Sequence, residues 1–184
     1  VDAGPTSASV CSGDSFVLDF ATVSNASNTS WSTTGSGVFN PSESSLNPVY
    51  IPSAADIAIG NVTLQLTADG NGNCATVSDE IALTIQPLPQ VAILNSSMIF
   101  CDNQTSVNIS GVTANDYDPL SLKWTTSGEG SFVNDAVLNP EYIPHANDYI
   151  NGVTLYVQVT GPSATACSNA IVSDEIKISF TPSP

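Results

Sequence analysis

The chain has 184 residues, of which 17 are acidic and only two, Lys123 and Lys177, are basic, for a formal net charge of −15. That balance excludes the positive footprint of a nucleic-acid binder and argues against docking on an anionic membrane. Charged residues are only 10% and hydrophobic ones 41%; the rest is dominated by Ser, Thr, Asn and Gly, as in secreted β-rich proteins, and no apolar run approaches the roughly 20 residues that membrane insertion requires.

In chain order, Cys11-Ser12-Gly13 comes first, ahead of Phe16, Leu18 and Phe20, which alternate with Ser15, Val17 and Asp19. Such alternation predicts a strand with one buried face. Trp31-Ser32-Thr33-Thr34-Gly35-Ser36-Gly37-Val38-Phe39 follows, its Trp expected on the third strand against the core. Leu46-Asn47-Pro48-Val49-Tyr50-Ile51-Pro52 leads into residues 53–59, which have room for a single helical turn. Asp56, ahead of Gly60, reads as a structural cap of that turn. Val62, Leu64 and Leu66 form the next alternating strand, Asp69-Gly70-Asn71-Gly72-Asn73 a turn, and Ile81, Leu83 and Ile85 the last strand. Gln86-Pro87-Leu88-Pro89-Gln90 is a short, stiff spacer.

The same order then recurs roughly 90 residues on, a domain-sized period rather than that of a solenoid. Cys101 stands for Cys11, Trp124-Thr125-Thr126-Ser127-Gly128-Glu129-Gly130-Ser131-Phe132 for the first Trp motif, and Leu138-Asn139-Pro140-Glu141-Tyr142-Ile143-Pro144 for the Tyr motif. A helical turn is predicted over residues 145–150, with Asp148 before Gly152. Val153, Leu155, Val157 and Val159, then Cys167, Ser173-Asp174-Glu175-Ile176, and the alternating Ile176, Ile178 and Phe180 complete the match. Thr181-Pro182-Ser183-Pro184 occupies the place of a second linker. The reading is an all-β chain of two tandem immunoglobulin-like β-sandwich domains, residues 1–87 and 88–184, in an elongated arrangement.

Little in the chain could carry chemistry. Its one histidine, His145, has only Asp148 and Glu141 nearby in sequence, so no nucleophile–base triad is visible. The acidic residues recur in both repeats at structural positions; a catalytic carboxylate pair would imply two identical active sites. The expectation is a non-enzyme without cofactor, calcium being the one open possibility. Asn115, Asp116 and Asp118 offer oxygens for calcium in one loop, and Asp69 is a weaker candidate. The alternative is an Asx-turn, in which such side chains bond their own backbone. Tyr156 should face outward, where a ring can stack on a sugar. The four cysteines lack metal-ligand spacing, and their even number suits an oxidising compartment.

The succession of Cys, alternating strand, Trp-x-Thr-x-Gly-x-Gly-x-Phe, Asn-Pro-x-Tyr-x-Pro, Asp before Gly, Val-Thr-Leu and Asp-Glu-Ile resembles the immunoglobulin-like and PKD-like repeats of large cell-surface proteins of the Bacteroidota, of the gliding-adhesin, type IX-secreted kind. The resemblance covers both repeats nearly end to end; repeat two departs in having Asn103 where Gly13 stands. It implies an extracellular, cell-surface location. It also implies a structural stalk or filament segment whose partners are neighbouring repeats of the same protein, or alternatively a module that binds surface glycans or proteins.

Two disulfide schemes are open. The repeat itself suggests Cys11–Cys74 and Cys101–Cys167. In a sandwich whose strands run up and down, however, the turn after the first strand and the last hairpin lie at opposite ends, roughly 20 Å apart. A disulfide tolerates only about 7 Å between Cα atoms. These distances favour Cys11–Cys167, with Cys74 and Cys101 left for other repeats.

Overall fold

The computed structural model describes residues 1–72 and 74–183. Asn73 of the first turn cluster and Pro184 of the C-terminal proline run lie outside them. The chain divides into two compact units, Val1–Pro87 with Thr165–Cys167, and Leu88–Ala164 with Ser168–Pro184.

Unit 1 has strands β1 (Ser7–Cys11), β2 (Phe16–Val17), β3 (Ala26–Thr33), β4 (Val38–Asn40), β5 (Val49–Ile51), β6 (Asn61–Gly70) and β7 (Val77–Gln86), with helix α1 (Ala54–Ile59) between β5 and β6. One sheet has the order β1-β7-β6-β3 and the other β2-β5-β4. β1 runs parallel to β7, Cys11 opposite Gln86, while β6 and β7 form the central antiparallel hairpin. Val62, Leu64 and Leu66 of β6 and Ile81, Leu83 and Ile85 of β7 are all buried, with Trp31, Tyr50 and Leu18 between the sheets. The period-two pattern fails at one place. β2 ends at Val17, so Phe20 is 45% exposed and lies over Gly4 instead of continuing the inward face.

Unit 2 has β8 (Gln90–Ile93), β9 (Ser97–Cys101), β10 (Val107–Asn108), β11 (Val112–Asn115), a 3-10 turn (Pro119–Ser121), β12 (Lys123–Thr126), β13 (Ser131–Phe132), β14 (Glu141–Ile143), α2 (Ala146–Asn151), β15 (Val153–Thr160) and β16 (Ile171–Thr181). Its sheets are β12-β15-β16-β9 and β10-β14-β13, plus a β11-β8 pair. β9 runs parallel to β16 as β1 does to β7, Cys101 opposite Thr181. Val153, Leu155, Val157 and Val159 are buried with Ile176, Ile178 and Trp124, whereas Phe180 is only partly buried. Trp124 lies on β12, the counterpart of β3 in sheet order.

Both helices are six residues long and start where the sequence places them, with Ser53 and His145 as their N-caps. Among the described residues no helix is long and apolar enough to cross a membrane.

Candidate functional site

The residues that recur between the repeats converge on one buried carboxylate in each unit. In unit 1, Asp56 is 1% exposed. It accepts hydrogen bonds from the backbone N–H of Ser36 at 2.8 Å, the backbone N–H of Ser53 at 2.9 Å and the Tyr50 hydroxyl at 2.8 Å. Ser53 returns the contact, its hydroxyl accepting from the Asp56 N–H at 3.1 Å, which completes a capping box. Thr33 joins Tyr50 and Gly35: its hydroxyl lies 3.2 Å from Tyr50 Oη and accepts from the Gly35 N–H at 3.0 Å. Gly35 must be glycine because a Cβ there would overlap the Asp56 carboxylate, and Gly37 because one would meet Tyr50 Oη and the Ile51 carbonyl.

Unit 2 repeats the arrangement. Asp148, 2% exposed, accepts from the N–H groups of Glu129, Gly130 and His145 and from the Tyr142 hydroxyl at 2.8 Å. Thr126 bonds Tyr142 Oη at 3.0 Å and the Gly128 N–H at 3.1 Å, and a Cβ on Gly128 would overlap Asp148. Aromatic rings back both networks: Trp31, Phe39 and Tyr50 pack in succession at tilted angles, as do Trp124, Phe132 and Tyr142. The two indole N–H groups donate to the Leu46 and Val137 carbonyls, each at 3.0 Å.

Burial is the largest single influence on Asp56 and opposes its ionisation. The bonds from the Ser53 and Ser36 backbone, the Tyr50 hydroxyl and the Ser53 hydroxyl together outweigh it and hold the carboxyl down at about 2. Asp148 is likewise shifted down: burial opposes, and His145, Tyr142, Glu129 and Gly130 prevail. Burial, helped by the neighbouring carboxylate, pushes Tyr142 up to about 12 and Tyr50 in the same direction. These are ionised carboxylates locked under neutral phenols, an arrangement that fixes a loop rather than one poised to exchange protons.

A second recurring acid has a role the sequence did not reveal. Asp79 accepts from the Ala3 N–H at 2.8 Å, and Asp174 from the Ile93 N–H at 2.7 Å. Each ties the start of its unit to the last strand.

Asn115 ends β11, Asp116 follows with φ 52°, and Asp118 caps the 3-10 turn, accepting from the Leu120 N–H at 2.9 Å. Asp69, in β6, accepts from the Thr76 hydroxyl at 3.1 Å. Among the described residues no three of His, Cys, Asp and Glu gather as metal ligands. His145 caps α2, its Nδ1 2.9 Å from Glu129 Oε2. Tyr156 is 39% exposed on β15, beside Lys123, Thr125, Gln158 and Ser173.

Cys11 is bonded to Cys167, with Cα atoms 4.9 Å apart and a sequence separation of 156; Cys74 and Cys101 are free and exposed. The within-repeat scheme of Cys11–Cys74 and Cys101–Cys167 is not formed. Cys11 faces Gln86 at the end of β7, whereas Cys74 precedes Val77 at its start. Nine residues of extended strand separate the two ends, roughly 30 Å. Cys101, opposite Thr181 at the end of β16, is equally remote from the hairpin that carries Cys167.

No protein-family model matches the chain, and no curated protein matches it. Among solved structures it is similar to mouse cadherin-23 EC22-24, with a TM-score of 0.53 at 13% identity over 98% of this chain and 64% of that one. It is similar to an I-band fragment of titin, with a TM-score of 0.51 at 14% identity over 96% of this chain and 63% of that one. A third likeness is to human protocadherin-24 EC1-2, at 0.50 and 11% over 96% and 95%. The chain thus spans less than two thirds of the cadherin-23 and titin fragments. At such identities the likeness is one of fold, and it agrees with the sheets described above: the chain is an all-β protein of two tandem immunoglobulin-like sandwiches.

Proposed function

We propose that the chain is a non-catalytic, load-bearing segment, a stalk or filament section, of an extracellular adhesin-like surface protein of the Bacteroidota. The observation that carries this reading is the Cys11–Cys167 bond. It closes a covalent loop from the first strand of repeat one to the last hairpin of repeat two. Tension along the backbone passes through β1, the bond and β16, and residues 12–166 lie outside that path. Structural disulfides of this kind belong to oxidising compartments. Asp56 and Asp148, the acids that recur with the Gly-x-Gly loops, are engaged in buried hydrogen-bond networks that hold those loops.

A second reading, a glycan-binding module, is favoured by exposed Tyr156 with the polar Thr125, Gln158 and Ser173 around it. A glycan array separates the two. The stalk reading expects no glycan to be retained by the purified chain. A retained glycan that is lost in Tyr156→Ala would replace it with the module.

Calcium, on this proposal, acts weakly and locally at Asn115, Asp116 and Asp118 of unit 2, and Asp69 of unit 1 is a separate, weaker candidate. Asp118 already gives one carboxylate oxygen to the Leu120 N–H, and calcium takes six to eight oxygens. The expected affinity is therefore no tighter than about millimolar. Titration calorimetry should show a small heat for the wild type that is lost in Asp116→Ala; equal heats from both would remove the loop as a site.

A further inference from the structure

We infer that Cys101 of one copy of this chain pairs with Cys74 of a second copy, in a head-to-tail disulfide that repeats the Cys11–Cys167 bond. Cys101 is the sequence counterpart of Cys11, and Cys74 of Cys167. The strand-end turns match at the level of hydrogen bonds. After Cys11, the Ser12 N–H donates to the Gln86 carbonyl at 2.8 Å and the Asp14 N–H to the Cys11 carbonyl at 3.0 Å. After Cys101, the Asp102 N–H donates to the Thr181 carbonyl at 3.0 Å and the Gln104 N–H to the Cys101 carbonyl at 3.2 Å. Asn103 in place of Gly13 leaves this pattern intact. Both cysteines end a strand that runs parallel to the last strand of their unit.

The bonded pair shows what such a turn receives. The tip Thr165–Cys167 clusters with unit 1, and the Ala166 N–H donates to Gln86 Oε1 at 2.6 Å. Cys11 is 4% and Cys167 1% exposed once joined. Cys101 ends the matching turn with its sulfur free, and Cys74 is the matching hairpin cysteine, following β6 and packed against Gly70. Two copies together therefore supply the two halves of a joint the chain already contains. Each copy has one unused cysteine of each type, so a copy can pair at both cysteines and the bond can repeat from copy to copy.

The chemistry needs an oxidant, here a small-molecule disulfide such as oxidised glutathione. The Cys101 thiolate attacks it, forming a mixed disulfide and releasing one glutathione thiolate. The Cys74 thiolate of the second copy attacks the Cys101 sulfur and releases the other. Two protein thiols become one disulfide while one glutathione disulfide becomes two thiols. The inference needs only the bonded pair and the repeat, so a glycan-binding result would leave it standing.

The test uses Cys74→Ser and Cys101→Ser, both exposed positions, with the two variants distinguished by mass. Equal amounts are incubated together in a glutathione redox buffer, and the covalent dimers are counted by intact mass spectrometry under non-reducing conditions. The mixed dimer, Cys101 of one variant to Cys74 of the other, should exceed the two homodimers combined by several-fold, and the wild type should give a ladder of oligomers. Random thiol pairing makes the mixed dimer about half of the total. A mixed fraction at or below that level, or no covalent dimer at all, overturns the inference.

Discussion

Asp56→Ala is expected to destabilise unit 1 by about 3–5 kcal/mol, and Asp148→Ala to do the same in unit 2, because each strands several buried donors at once. In unit 1 the orphans are the Ser36 and Ser53 N–H groups and the Tyr50 hydroxyl. A domain of this size has only about 5–15 kcal/mol in total, so the melting temperature of the affected unit should fall by roughly 15 °C or more. Each unit has its own tryptophan, and variants with Trp31 or Trp124 replaced by Phe let fluorescence report one unit at a time. A fall under about 1 kcal/mol would mean that the carboxylates are ordinary polar residues. The same network fixes the acid response. The Asp56 carboxyl is lowered from 3.8 to about 2 on folding, so its contribution of about 2 kcal/mol is complete above about pH 4 and is lost as pH falls towards 2. Asp148, also shifted down, acts in the same direction.

Removing the disulfide should cost about as much. A closed loop of 156 residues restricts the unfolded chain by about 5 kcal/mol on the chain-entropy count. Cys11→Ser and Cys167→Ser break the same bond, so their denaturant midpoints should drop equally and the double variant should drop no further. Losses that add would show that the two cysteines act separately.

How much of this was legible in the sequence depended on whether the cause was local. The alternation of β6, β7, β15 and β16 was readable because those strands bury one whole face. Phe16–Phe20 misled because β2 is only two residues long; the chain turns away, and the Leu18 N–H donates to the Pro48 carbonyl. Pro52 and Pro144, followed by a capping residue and then Asp before Gly, announced α1 and α2. That Asp56 and Asp148 also reach across to the Gly-x-Gly loops is a tertiary fact with one sequence clue, the co-occurrence of both motifs in both repeats. Asn115 read as a loop residue, yet it ends β11, a strand whose pairing with β8 is set by register rather than by any local pattern.

On the proposed reading, load on the chain runs through the Cys11–Cys167 bond. Pulling single molecules by their ends tests it directly. Without reductant the chain should extend only by the segments outside the bond, about 100 Å. With reductant it should release the enclosed residues 12–166, about 550 Å more at some 3.5 Å per residue. An oxidised chain that gives the full extension without reductant would mean that load does not pass through the bond.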